Sequence, residues 1–352
     1  MRIVDIPIVF AILILPSGCV VTKRADPGPG AGIGVTPLES GTRASLRGLH
    51  VVSARVAFVT GSGGTVLRTI DGGRSFEARS VPDAGDLDFR SVVARDSTSV
   101  LVASAGTPAR VYRSFDGGEQ FEVVHEDAHP EAFFDSLALG KGDAVWLFGD
   151  PRAGGHLVLR EGRAFGDSFT EQGHRLPQPR EGEAGFAASN GCITVDAGGR
   201  PAVVTSGVTA PPRFLRLGGN AGEAIVCELP LAHGAPGRGA FAVAEDESSI
   251  VVVGGDYLAP TAIDGVGAFS HDGGRTFAPA RGLRGYRSGV SAVPGRPGTF
   301  VAIGPTGGEI STDGGRTFHP VDGLRGHAID MALGGIGFAS GSEGRILRVV
   351  LP

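Results

Sequence analysis

Lysine is almost missing from this 352-residue chain: of 32 basic residues only Lys23 and Lys141 are lysine, and the arginines are scattered rather than gathered into a stripe. With 37 acidic residues the formal charge is −5. Such a distribution offers no basic face for nucleic acid. Long helix-forming stretches are missing as well. Instead, 59 Gly and 23 Pro break up a chain that is 41% hydrophobic, a composition suited to many short strands joined by tight turns. There is no P-loop, no GxGxxG between a strand and a helix, no HExxH and no CxxC, and the acidic residues lack the regular spacing of a calcium loop. No cofactor and no metal is implied.

The N-terminus reads as an export signal. Arg2 supplies a positive start and Ile6 to Leu15 form an apolar run too short to span a bilayer. The run ends in Leu15-Pro16-Ser17-Gly18-Cys19, which resembles the lipobox of bacterial lipoproteins, although Pro16 stands where that pattern usually has Leu. The resemblance implies cleavage before Cys19, acylation of its thiol and a membrane anchor outside the cytoplasm, in the periplasm or at the cell surface. Residues 1–19 are thus a signal peptide, 20–33 a Pro- and Gly-rich tether, and 34–352 the folded domain.

One motif recurs four times in one register, S/T-x-D-G-G-x-x-F, at Thr69–Phe76, Ser114–Phe121, Ser270–Phe277 and Ser311–Phe318. Its chemistry is that of a hairpin turn. The carboxylates of Asp71, Asp116, Asp272 and Asp313 accept hydrogen bonds from turn N–H groups, the paired glycines allow positive φ, and the Phe packs inward. The motif resembles the Asp box, or BNR repeat, of sialidases, sortilin-type receptors and photosystem II assembly factors.

Where the Asp is lost the register continues. Seven apolar runs end in a turn glycine, and each is followed by a strand centred near Val66, Val111, Val158, Leu215, Phe269, Ile310 or Ile346, a step of about 47 residues. Seven further short strands precede the runs, among them Phe186–Val195 in the fourth unit. The expectation is an all-β, seven-bladed β-propeller with four-stranded antiparallel blades. The chain ends after the third strand of the last blade, so Val35-Thr36-Pro37-Leu38 is expected to supply the fourth and close the ring. Cys192 and Cys227 fall on the innermost and outermost strands of blade four, about 14 Å apart. They are expected to be unpaired, buried thiols.

In a propeller the four Asp-box turns lie on the face opposite the loops that lead into the inner strands. The boxes are therefore structural, and candidate binding residues come from the other face: Arg47, Arg90, Asp135, Glu183, Arg238, Arg287 and His327 before or within the inner strands, with Asp150, Arg152, Asp256, Tyr257 and Tyr286 beside them. Converging arginines suit a carboxylate or a peptide terminus. A mutually neutralising ring of ion pairs that plugs the channel is the alternative.

Over 34–352 the chain resembles the photosystem II stability and assembly factor family and its bacterial sialidase-like relatives. The residues that carry this are the four boxes, Gly63-Gly64-Thr65-Val66-Leu67-Arg68 and Gly285-Tyr286-Arg287-Ser288, with Phe in place of the family's usual Trp at the box end. The resemblance implies a non-enzymatic, monomeric scaffold outside the cytoplasm that holds a protein or peptide partner. A sialidase-like glycoside hydrolase is the alternative, with Asp135 and Glu183 a conceivable acid–base pair, and adhesion through the outer rim a third reading.

Overall fold

The computed structural model describes residues 30, 32–219 and 222–352. The expected signal peptide, Cys19 and nearly all of the tether lie outside these residues. Among the described residues no helix is long and apolar enough to cross a membrane.

Seven four-stranded antiparallel sheets follow one another in chain order. Their inner strands are Leu46–Val51, Asp88–Ala94, Phe134–Leu139, Ile193–Val195, Arg238–Glu245, Gly289–Ala292 and Ala328–Ala332. Blade seven is completed from the other end of the domain, where Gly34–Leu38 pairs antiparallel with Ile346–Val350, Thr36 opposite Arg348. The closing strand stands where the sequence placed it, and blade seven thereby has four strands like the other six.

Seven apolar clusters hold the ring together, one at each blade interface. Phe58 and Val66 of blade one, for example, pack with Phe89, Val92, Val102 and Tyr112 of blade two. Corresponding clusters join every other neighbouring pair, including blade seven to blade one through Phe338, Ile346, Leu46 and Leu49. Each sheet is thus buried on both faces, so its strands read as short apolar runs rather than as strict alternation.

The four repeated turns share one geometry. In each, the carboxylate accepts from the backbone N–H four residues on, Ser75 at 3.1 Å, Gln120 at 3.0 Å, Thr276 at 3.0 Å and Thr317 at 2.9 Å. The preceding Thr or Ser hydroxyl donates to the carboxylate and accepts from the second glycine's N–H. These contacts hold the Asp71 carboxyl down at about 2, with the Ser75 hydroxyl the first cause. Both glycines of each pair have positive φ. The second also lies flat against the preceding blade, so that a Cβ on Gly274 would fall 2.3 Å from the Phe214 ring and one on Gly315 2.3 Å from Val251. The box Phe side chains follow into the same interfaces. Each box is therefore a wedge between blades as well as a turn.

Two expectations need correction. The fourth inner strand was read as Phe186–Val195, yet only Ile193–Val195 is strand, and the residues before it leave the sheet. Both cysteines are free, as expected, but only Cys192 is buried, because Cys227 lies on an outermost strand that solvent reaches.

The packing of the glycine pairs sets their tolerance. Gly273→Ala meets little beyond positive-φ strain and should cost about 1 kcal/mol, whereas Gly274→Ala must also displace Phe214 and should cost roughly 2 to 4 kcal/mol. Urea unfolding of the two variants should show this order, and equal loss would contradict the wedge.

Candidate functional site

Pleated strands send alternate side chains to opposite sheet faces, which in a propeller means into the two neighbouring blades. Reaching the axis requires a break in that alternation. Four inner strands carry one, as a bulge near the start: the register steps from Leu46 to Gly48, from Phe89 to Ser91, from Phe134 to Ser136 and from Ala240 to Ala242. The residues passed over are Arg47, Arg90, Asp135 and Phe241. Bulges re-aim side chains, and these are the residues at the centre of the ring.

Between the bulges runs the segment Gly185–Gly191, which crosses the axis instead of joining blade four. Its carbonyls are gripped from across the ring, Ala188 O by Arg47 Nη1 at 3.3 Å and Ala187 O by Arg90 Nη1 at 3.3 Å. Asn190, at φ +64, donates to Val92 O at 2.9 Å and bonds the Ser91 hydroxyl, while Ser189 donates to Ser288 O. The channel is closed by peptide backbone. This replaces the ring of ion pairs entertained from the sequence.

Above this plug lies a cavity of about 370 Å³ lined by Arg47, Arg90, Phe186, Ala187, Ala188, Phe241, Tyr257, Tyr286, Pro305 and His327. Phe186 and Phe241 stack at 4.0 Å, and Tyr286 meets Phe241 edge-on at 4.7 Å. Tyr257 stands edge-on to both phenylalanines at 6.4 and 6.2 Å and is half exposed. One wall is therefore aromatic and the other cationic. Arg90 pairs with Asp88 at 2.7 Å, but Arg47 makes no ion pair among the described residues. Burial, and then the charge of Arg90, lower the Arg47 pKa. Burial followed by Arg47, Arg345 and Arg90 brings His327 down to about 4, so it is neutral at pH 7. Two adjacent guanidiniums, one uncompensated, make a place where an anion is stabilised.

The other candidates stand elsewhere. Glu183 is buried against Arg213, 2.8 Å from its Nε, and the Thr205 hydroxyl; burial works to raise its pKa, yet these partners hold it low. Arg287 is 1% exposed and forks onto buried Glu309. Arg238 bonds Asp256 at 2.9 Å, and the other Asp256 oxygen caps the N–H of Leu258. Arg152 pairs with Asp127. Asp135 points in but has no access to solvent, and its carboxyl oxygens receive no N–H or hydroxyl donor. Its neighbour is Asp150, whose Oδ1 accepts from Gly185 N at 2.7 Å. Burial, and then the second carboxylate, push Asp135 well above the usual range; burial raises Asp150 too. Of the acid–base pair that the hydrolase alternative could draw on, Glu183 is engaged by Arg213 and Asp135 is sealed from solvent. Phe186, Ala187, Ala188, Phe241 and Pro305 had no polar chemistry to mark them, and only the bulge and the crossing segment bring them to the mouth.

No family model matches the chain, and no curated protein does. Solved structures match over most of its length. A structure of YCF48 bound to D1 peptide superposes with a TM-score of 0.63 at 17% identity, covering 93% of this chain and 99% of that one. YCF48 from Cyanidioschyzon merolae gives 0.61 at 15% identity over 90% and 98%. The chain shares the fold of YCF48. A GH74 xyloglucanase from Xanthomonas campestris also matches, at 0.61 and 14% identity, over 89% of this chain but 53% of its own. The seven-bladed fold is that of the photosystem II assembly factors and Asp-box proteins that the sequence resembles.

Burial raises the Asp135 and Asp150 pKa values above that of an exposed aspartate, and the nearness of the second carboxyl adds to the rise at Asp135. An acid whose pKa is raised by folding stabilises the native state at low pH, and that contribution disappears as pH rises through the folded-state value. Melting temperature should therefore fall as pH rises from the ordinary carboxylate range toward neutrality, and Asp135→Asn should flatten the slope. A slope unchanged in this variant would mean that the pair titrates normally.

Proposed function

We propose that the chain is a non-enzymatic binding scaffold outside the cytoplasm, anchored through Cys19, that holds a protein or peptide partner at the aromatic and cationic mouth. The observation that carries the reading is the uncompensated Arg47 beside Arg90 at the rim of the Phe186–Phe241–Tyr286 wall. An aromatic wall and a paired cation are complementary to an extended peptide that presents a carboxylate, from an Asp or Glu side chain or from its own terminus. The peptide bound to the structurally similar YCF48 supports the same reading. The support for export is the signal-like N-terminal sequence alone.

The GH74 neighbour gives a hydrolase reading some weight. Against it stands the use of the carboxylates. Glu183 and Glu309 are committed to buried arginines and Asp135 is sealed, while the two mouth tyrosines sit among aromatic rings rather than against a glutamate.

A fluorescence-anisotropy titration of the domain lacking residues 1–33 with synthetic acidic peptides tests the reading. Arg47→Ala with Arg90→Ala should weaken binding roughly tenfold or more, and added salt should weaken the native interaction. Equal affinity in a folded double variant would remove the mouth as the binding site, and turnover of xyloglucan or sialosides would favour the hydrolase.

A further inference from the structure

Among the hairpins that join second and third strands, blade five carries the longest, residues 257–266 between the strands Ile250–Asp256 and Gly267–Ser270. The corresponding hairpin of blade six has two residues, 305 and 306. The long loop exposes Leu258 at 69%, Ile263 at 66% and Tyr257 at 46%. Its backbone is fixed at both ends and in the middle. Asp256 Oδ1 accepts from the N–H of Leu258 at 2.9 Å and Ala259 at 3.3 Å, Pro260 O accepts from Tyr286 N at 3.0 Å, and Gly265 O accepts from Ala232 N at 2.9 Å. A pinned loop holds its aliphatic side chains out in water with little freedom to fold them away. Scattered exposed leucines need no explanation, but exposed apolar side chains carried on one pinned loop that borders a concave site mark a contact surface.

The ledge is continuous with the mouth. Tyr257 lines the cavity and precedes Leu258, and the bond from Tyr286 to Pro260 joins the aromatic wall to the loop. We infer that the loop 257–266 is a second subsite for the same bound peptide, taking apolar side chains that lie two to four residues from the carboxylate held by Arg47 and Arg90. An extended peptide advances about 3.3 Å per residue, so two to four residues reach roughly 7 to 13 Å from the carboxylate held by the arginines. Charge assigns the two ends: the anionic group goes to the cationic wall, and the ledge, with its exposed aliphatics, takes the apolar side chains. The inference rests on the proposed peptide-binding function and narrows it to a class of sequence.

Two synthetic ten-residue peptides separate the possibilities, one with a carboxylate and Leu-Ile three residues away, the other with Ser-Ser in their place. The native domain should bind the first roughly tenfold more tightly. Leu258→Ser with Ile263→Ser, both at exposed positions, should bring that ratio to near one. Arg47→Ala with Arg90→Ala should weaken both peptides and leave the ratio in place. A ratio near one in the native domain, or one unmoved by the ledge substitutions, overturns the ledge while the mouth stands. If neither peptide binds the native domain, both readings fall. Sedimentation that shows native dimers and monomeric ledge variants would assign the loop to a second copy of this chain and also overturn the inference.

Discussion

The structure depends on closing a ring from both ends of the domain. Without Gly34–Leu38, blade seven would end in an unpaired strand and the apolar cluster that Val35 joins, between blades six and seven, would be open on one side. Closure turns seven marginal sheets into one object, because every blade then has two neighbours and each inter-blade cluster is complete. Strength is spread over seven similar interfaces, and the turn wedges contribute to the ones that carry a box.

Closure also brings seven inner strands to one axis, where room is scarce. Five stretches of backbone resolve the crowding in three ways. Bulges in blades one, two and five send Arg47, Arg90 and Phe241 into the mouth. The bulge in blade three buries Asp135. Blade four gives up most of its inner strand and lends the freed segment as a plug. The plug is in turn the floor of the site, so the residues that seal the channel and those that shape the cavity are the same.

Charged residues near the centre divide by what they face. Arg213 with Glu183 and Arg287 with Glu309 are enclosed pairs, and each fixes a segment leading to an inner strand. Buried pairs of this kind add little net stability, since desolvation offsets much of the attraction, but loss of either partner is expensive. The charge left for a ligand is small and local: Arg47, Arg90 and a His327 that is neutral at pH 7. A site with so few charges beside an aromatic wall discriminates by shape and apolar contact as well as by charge.

The sequence determined the blade count, the closing strand, the turn role of Asp71, Asp116, Asp272 and Asp313 and the separation of the cysteines, because each follows from local turn chemistry or from a repeat spacing. It also placed Arg47, Arg90, Tyr257, Tyr286 and His327 toward one face. Tertiary structure decided which of those residues share a cavity. Glu183 and Arg287 carry the same charge and register signals as their neighbours, and nothing local marks Arg213 or Glu309 as their partners. Phe186 and Phe241 read as ordinary core residues until a crossing segment and a one-residue bulge turn them to the axis. Strand register and burial are set by contacts between blades distant in sequence, so the count of blades was legible along the chain and the make-up of the mouth was not.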